Sequence, residues 1–234
     1  MKKTSKILLS VLCIVAVLTV SVAGVLAYLI DQTNVVTNTF TVGDVQIKLD
    51  ETKVDPEGKP VTPEEKTEIG NEYHLIPGQT YTKDPTVTVL TGSEESYVRI
   101  KVTINKMAEL KAIFGNDFLP GNYVTGWDQT KWPCVGITDN GDNTATYEFR
   151  YYTTVSTVDA TDDLVLPALF TSFTLPGELV DGEDLKTLQP DAATGDPGLK
   201  IDVVGHAIQR SMLDTADEAW AAFDAQQAAN ATNP

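Results

Sequence analysis

The side chains that could do chemistry in this sequence are few and far apart. His74 and His206 are the only histidines, and neither belongs to an HExxH or similar metal-ligand spacing. There is no Gly-x-Ser-x-Gly elbow and no glycine-rich phosphate loop. We predict an exposed His74 beside a turn, and a His206 that packs on one face of a strand. We expect no catalytic residue, no metal ligand and no cofactor.

Acidic clusters and one cysteine are the remaining candidates. Calcium takes several oxygen ligands from one loop, but none of the clusters fits the EF-hand spacing, and aspartate is common in turns anyway. Calcium binding therefore stays open at three places: Asp139/Asp142, Asp162/Asp163 and Asp181/Glu183/Asp184. Cys134 is the one cysteine left after signal-peptide cleavage, so no internal disulfide can form and a hydrophobic core must hold the exported domain together. We predict that Cys134 is buried and free, with an intermolecular disulfide as the alternative.

The amino end is typical of an export signal. Three lysines precede an uncharged run from Ile7 to Ile30. As a helix this run would span about 36 Å, against about 30 Å for a bilayer core, so an uncleaved anchor is one reading. The Val25-Leu26-Ala27 pattern and the absence of a basic flank after Ile30 favour cleavage. We predict a signal peptide over residues 1–27, cut between Ala27 and Tyr28.

The charge of the mature chain excludes one class of partner. The precursor carries a net charge of −16. Loss of the three leader lysines takes 17 basic residues to 14, against 33 acidic ones, for a net charge of −19. Nucleic-acid binding needs lysine and arginine to neutralise phosphate, so we expect no nucleic-acid partner.

The body of the chain reads as antiparallel β-structure. From Tyr97 to Ile104 apolar and polar residues alternate, which predicts one face in a core and the other in water. Asn140-Gly141 between two alternating runs predicts a hairpin. Residues 50–72 are predicted to form a long exposed loop or hairpin tip, and residues 181–198 a loop. Further strands are expected over 40–49, 86–90, 164–175 and 199–208, with Pro167 at an edge or a bulge.

Two helices complete the pattern. Met107 to Phe114 places Met107, Leu110 and Phe114 on one side. Thr215 and Glu218 form a capping box, which predicts a helix over residues 216–228. With no alternation of strands and helices, the sequence predicts an all-β fold: an antiparallel jelly-roll-like β-sandwich with short helical additions and a C-terminal helix. We divide the chain into the signal peptide, an extended segment over 28–40 and a domain over 41–234.

Several stretches together resemble the TasA/camelysin family of exported Gram-positive proteins. They are the lysine-rich start with "GVLAYLID", then "NTFTVGDVQIKLDE", "IPGQTYTKDPTVTV", "SYVRIKVTI", "PALFTSFTLPG" and "HAIQRSMLDTADEAWAAF". The resemblance implies a jelly roll, processing by a SipW-type signal peptidase, and a place in the extracellular matrix or on the cell surface. It also implies self-association into biofilm fibres, with other matrix proteins as further partners.

In that family the segment after the cleavage site can enter the next subunit as a donated β-strand. The corresponding residues here are Tyr28, Leu29, Ile30, Val35, Val36 and Phe40. This segment has no helix signal, and an extended segment can add to an open sheet edge through main-chain hydrogen bonds. A local first strand or an unstructured tail is the alternative for the same residues.

Two other functions remain open. A monomeric adhesin or binding module could use the aromatic stretch from Trp127 to Trp132. Some camelysins are described as metallopeptidases, but no zinc motif is recognisable here, so we expect a protein that is not an enzyme.

Overall fold

Twelve β-strands form the framework of the part of the chain that is described. The computed structural model describes residues 30–32, 45–177, 182–191, 193–211 and 213–231; the predicted signal peptide lies outside them. The strands are β1 Ile30–Gln32, β2 Ile47–Thr52, β3 Lys66–Thr67, β4 Thr80–Thr82, β5 Thr86–Val89, β6 Ser96–Ile104, β7 Val124–Thr125, β8 Cys134–Asp139, β9 Ala145–Arg150, β10 Leu164–Val165, β11 Ser172–Thr174 and β12 Ile201–Gln209.

The described residues also form three α-helices. They are α1 Met107–Phe114, α2 Gly182–Leu188 and α3 Ala216–Ala231, and a short 3-10 turn covers Pro120–Tyr123. Helix α1 has the predicted bounds, and α3 is three residues longer than predicted. Among the described residues, no helix combines the length and the apolar character needed to cross a membrane.

The strands pair only antiparallel and form three sheets. The five-stranded sheet has the order β1-β12-β6-β9-β8, the four-stranded sheet β10-β5-β2-β3, and the three-stranded sheet β4-β11-β7. The prediction of an antiparallel, mostly β protein with a C-terminal helix is confirmed. Proline also behaves as predicted, because Pro167 follows β10, an edge strand of its sheet.

One hydrophobic core is shared by all three sheets. The apolar face predicted for β6 lies inside it, with Val98, Ile100, Val102 and Ile104 almost fully buried. The remaining core residues include members from every sheet, among them Val87, Val89, Tyr81, Ala145, Tyr147 and Ala207. Burial of this size supplies the stability that disulfides provide in many smaller domains.

Asn140-Gly141 forms the hairpin that the sequence predicts. β8 and β9 pair on either side of it, and a bulge lies between Cys134 and Gly136. Gly141 has φ 77° and Asn143 φ 64°, the left-handed region that glycine and asparagine tolerate best. The local turn chemistry therefore accounts for this part of the fold.

Two predictions from the sequence need correction. The second face of β6 is only partly open to water, because α3 packs over it and leaves Arg99 with 0 % exposure, whereas Tyr97, Lys101 and Thr103 are half-buried. The loop predicted over residues 181–198 contains α2. This helix forms because Leu188 enters the main core and α2 packs against α1, contacts that no local pattern announces.

A pair of isoleucine substitutions tests where the core lies. Ile100→Ala should lower the free energy of unfolding by about 2–5 kcal/mol, because Ile100 is 0 % exposed and its loss leaves a cavity. Ile137→Ala should cost less than about 1 kcal/mol, because Ile137 is 58 % exposed on the outermost strand β8. Urea unfolding of both variants measures the difference, and equal losses would contradict the assigned core.

Candidate assembly edge

Strand β12 carries the edge on which residues 30–32 of the predicted donor segment lie. β12 pairs with β6 on one side over nine residues and with β1 on the other over three. Its partners in β1 are Ile30 opposite Ile208, Asp31 opposite Ala207 and Gln32 opposite His206. Of the predicted donor residues, only Ile30 is among the described ones. Ala27, Tyr28, Leu29, Val35, Val36 and Phe40 lie outside them.

Both faces of β12 are covered at this edge. Ala207 points into the main core and is 0 % exposed, whereas Ile208 packs on the other face with residues of α3. The first half of β12 is less covered, since residues 201–204 are half-buried. We call residues 201–209 the assembly edge.

Helix α3 begins with the capping box that the sequence predicts. Thr215 Oγ1 accepts from the amide of Glu218 at 3.2 Å, and Glu218 Oε2 accepts from the amide of Thr215 at 3.2 Å. Trp220 and Phe223 then reach the sheet and bury themselves against Ile208, 2 % and 1 % exposed. Within the described structure, Trp220 Nε1 is the one buried side-chain nitrogen or oxygen without a hydrogen-bond partner.

Arg99 joins the sheet to α3. Its guanidinium lies 4.3 Å from the ring centre of Trp220 and 4.8 Å from that of Phe223. Asp224 accepts from both terminal nitrogens of Arg99, at 3.1 Å from Nη1, and Glu148 accepts from Nη1 at 3.4 Å. A fully buried arginine needs such partners because an unpaired charge cannot leave water at tolerable cost.

His206 completes this cluster as a neutral acceptor. Arg99 Nε donates to His206 Nδ1 at 3.1 Å. Burial, together with the charges of Arg99 and Lys101, lowers the pKa of His206 from 6.5 to about 3, against a smaller opposing effect of Asp224. Burial alone would raise the pKa of Asp224, but the hydrogen bond from Arg99 and the two cations hold it below its usual value. The prediction of a packed His206 agrees with this environment.

The sequence analysis missed Arg99 and Asp224. Trp220, Phe223 and Asp224 stand at helical spacing on one face of α3, so an acidic residue beside two buried aromatics was a usable signal. No signal indicated the partner on β6, since Arg99 alternates with apolar residues like any outward-facing side chain. Only the docking of α3 brings the two together.

The other predicted candidates lie elsewhere. His74 is exposed. Cys134 is free and half-buried, and burial raises the pKa of its thiol. Trp132 is 0 % exposed and donates to Pro167 O at 2.8 Å, and Trp127 donates to Trp132 O at 2.8 Å. Both indole rings are thus held internally and do not form an open platform.

No described cluster gathers metal ligands. Asp142 Oδ1 accepts from Thr144, and Asp163 Oδ1 accepts from Thr91, so these carboxylates organise their own turns. Among the residues that the structure describes, no group of three or more His, Cys, Asp or Glu side chains is placed to hold a metal ion.

The geometry defines an antiparallel β protein in which residues 30–32 occupy the edge of a sheet, and a C-terminal helix packs on that sheet. Comparison of the chain with protein-family models, with curated proteins and with solved structures finds no match.

His206 makes the stability of the fold depend on pH. Its pKa is lower in the folded than in the unfolded chain, so the unfolded chain takes up the proton first as the pH falls below 6.5. Between pH 7 and pH 5 the wild-type protein should lose about 2 kcal/mol of stability through this residue. His206→Asn keeps an acceptor for Arg99 but does not titrate. Its loss of stability between pH 7 and pH 5 should therefore be smaller than that of the wild type by about 2 kcal/mol. Urea unfolding at the two pH values measures both, and identical losses would show that His206 is protonated in the folded protein.

Proposed function

We propose that this chain is an exported structural protein that assembles into extracellular fibres by exchanging its amino-terminal strand between subunits. The observation that carries the proposal is the position of β1. Residues 30–32, close after the predicted cleavage site, pair with β12 at the end of the five-stranded sheet. Their extended pairing at a sheet edge supports donation.

A donated strand could be longer than β1. β1 covers three of the nine residues of the assembly edge. If a donated strand continues in the same antiparallel register, Val35 stands opposite Val203, which packs partly against the core. A strand from Ile30 to residue 37 would then run along residues 201–208 of the edge. A longer ladder supplies more main-chain hydrogen bonds than the three-residue strand of the isolated chain.

Exchange between copies builds a filament for geometric reasons. Donor and acceptor are different surfaces, so each added subunit presents a new open end unless the rotation closes into a ring. Removal of β1 would free the backbone of residues 206–208 that now pairs with it, and an open edge is a ready template for pairing. Residues 33–44 connect β1 to the domain, long enough a link for the segment to reach a neighbour.

Processing fits the same scheme. The cut between Ala27 and Tyr28 would free the donor segment, whereas an uncleaved chain would keep it at the membrane. The resemblance to the TasA/camelysin family supports the matrix location, the SipW-type peptidase and a jelly-roll arrangement of the antiparallel sheets. A net charge of −19 after cleavage would keep the secreted subunit soluble. The role is structural and needs no cofactor.

The alternatives have less support. A binding module using Trp127 to Trp132 conflicts with the internal hydrogen bonds of both indoles. A shallow groove of about 390 Å³ does lie on the outer face of the five-stranded sheet, lined by Lys101, Thr103, Thr138, Asn140, Thr146, Val204 and His206. Lys101 in it already faces Asp224 and Glu148. Nothing in the described residues favours a metallopeptidase.

Deletion of the donor segment tests the proposal. The mature chain from Tyr28 should form fibres, because each subunit both donates and accepts a strand. The chain lacking residues 28–38 should stay monomeric in analytical ultracentrifugation and show no fibres in electron microscopy. A synthetic peptide of residues 28–40 should bind the truncated chain without polymerising it. The same peptide with Ile30→Pro is the control, since proline cannot complete the ladder. Fibres from the truncated chain would disprove donation.

A disulfide trap distinguishes exchange from local pairing. Asp31→Cys with Ala207→Cys places two thiols on residues that face each other in the register, in a Cys134→Ser background. Oxidised fibres should run as a covalent ladder on a non-reducing gel if the strand comes from a neighbour. Fibres that run only as monomers would show that β1 stays in its own subunit.

A further inference from the structure

A second buried charge lies on the opposite side of the core from Arg99. Lys83, just after β4, places Nζ 2.8 Å from Oε2 of Glu51 in β2, and the two side chains are only 6 % and 7 % exposed. A buried lysine is unusual unless it is paired. A third side chain, that of Asn71, also contacts this ion pair.

Asn71 binds the other oxygen of the same carboxylate. Its Nδ2 donates to Glu51 Oε1 at 2.9 Å and to Thr52 O at 2.9 Å, and its Oδ1 accepts from the amide of Val54 at 2.9 Å. Glu51 therefore bridges an amine and a carboxamide. Both groups are therefore held within a hydrogen bond of the same carboxylate.

Aromatic rings shield this cluster from water. Tyr73, Tyr81 and Phe173 form a packed trio with ring centres 5.0 to 5.7 Å apart. Lys83 Nζ lies 6.0 Å from the centre of the Tyr73 ring. Burial and the charge of Glu51 raise the pKa of Tyr73 well above its usual value. Where water is excluded, the separate charges of Lys83 and Glu51 are poorly hydrated, and this favours proton transfer from the ammonium to the carboxylate.

We propose that Lys83 and Asn71 form an intramolecular amide bond, with Glu51 as the proton carrier. A lysine amine and an asparagine carboxamide react with each other without any oxidant or further reagent. The products are a secondary amide between Nζ and Cγ and one ammonium ion. The reaction occurs once in each molecule, so it is a self-modification and involves no turnover.

The contacts supply each step of the reaction. Glu51 takes a proton from the Lys83 ammonium, and the freed lone pair of Nζ forms a bond to Cγ of Asn71 while the carbonyl π electrons move to Oδ1. The amide of Val54 donates to Oδ1 and stabilises the charge that develops there. Glu51 then passes its proton to Nδ2. The Cγ–Nδ2 bond breaks as the carbonyl re-forms, and the surplus proton on Nζ leaves with the ammonia.

The bond requires Lys83 to approach Asn71 while both stay beside Glu51. Nζ must come to roughly 3–3.5 Å from Cγ, the distance of a near-attack geometry. The four-carbon stem of lysine is flexible enough for this movement. The partners are also close in sequence, and the backbone is anchored nearby, because His74 N donates to Pro56 O at 2.7 Å and Thr82 N to Gly58 O at 3.0 Å.

The other buried cations lack this arrangement. Arg99 is a guanidinium, which is not a nucleophile at neutral pH. Lys106 pairs with Asp196, whose second oxygen accepts from the backbone amide of Gly198 and not from a carboxamide side chain. Only at Glu51, within the described structure, do two hydrogen bonds join a buried lysine and an asparagine through one carboxylate.

A tryptic digest of the full-length chain tests the proposal without any variant. Trypsin cuts after Lys66, Lys83 and Arg99, so the unmodified chain yields the separate peptides 67–83 and 84–99. A modified Lys83 resists cleavage. The expected product is one peptide over 67–99 whose mass is lower than its sequence by one ammonia, with fragment ions that place the loss between Asn71 and Lys83.

Three variants separate the chemistry from the fold. Glu51→Gln and Asn71→Ala should restore both peptides at full mass, and Asn71→Asp should give the linked peptide with loss of water instead of ammonia. Lys53→Arg, in the exposed pair with Glu65, is the matched control and should keep the ammonia loss. Recovery of peptides 67–83 and 84–99 at full mass from the folded wild-type protein would overturn the proposal, whatever the variants do.

Discussion

The burial of Arg99 is the constraint on which the arrangement of the five-stranded sheet depends. A guanidinium with 0 % exposure is tolerable only when anions and ring faces replace water. Asp224, Trp220 and Phe223 provide these, and all three belong to α3. Arg150 strengthens the attachment through Asp217 on the same helix. The C-terminal helix is thus a cover that the sheet needs.

The cover has consequences for the edge of the sheet. With α3 in place, Ile208 and His206 lie beneath it while Ala207 lies in the main core. The strand that pairs with this part of β12 therefore joins an edge with both faces already covered. His206 must also stay neutral, because its Nδ1 accepts from Arg99 and a second cation there would repel the first. The docking of α3 and the pairing of β1 with β12 therefore depend on the same residues, Ile208 and His206.

Arg99 and Lys83 illustrate two outcomes of burying a cation. Arg99 is surrounded by carboxylates on the surface side, where Asp224 remains half-exposed, so its cluster joins two elements while touching solvent. Lys83 is enclosed with a single carboxylate beside an aromatic trio, and Asn71 takes up the remaining oxygen. An arginine side chain stays protonated when it is buried, whereas a lysine side chain can lose a proton and then react as a nucleophile. Because of this chemical difference, Arg99 holds the sheet and α3 together by non-covalent contacts, whereas Lys83 is a candidate for a covalent cross-link.

Local signals were enough for the parts of the fold that neighbouring residues decide. Period-two alternation located β6, Asn140-Gly141 located the β8–β9 hairpin, and Thr215 with Glu218 located the start of α3. Helix α2 escaped prediction because its stability comes from Leu188 in the core, and its sequence between prolines reads as a loop. Propensity is a weak guide whenever tertiary contacts supply the larger free energy.

The sequence by itself determined the antiparallel β character of the body, the export-like amino end and the strong negative charge. These follow from periodicity and composition, which need no contact between distant residues. Only the tertiary structure decided that Arg99 meets Asp224, that residues 30–32 pair with β12, and that Glu51 joins Lys83 to Asn71. Such pairs depend on which faces and edges meet in space. Sequence spacing does not encode that, because packing and the exclusion of water choose the partners.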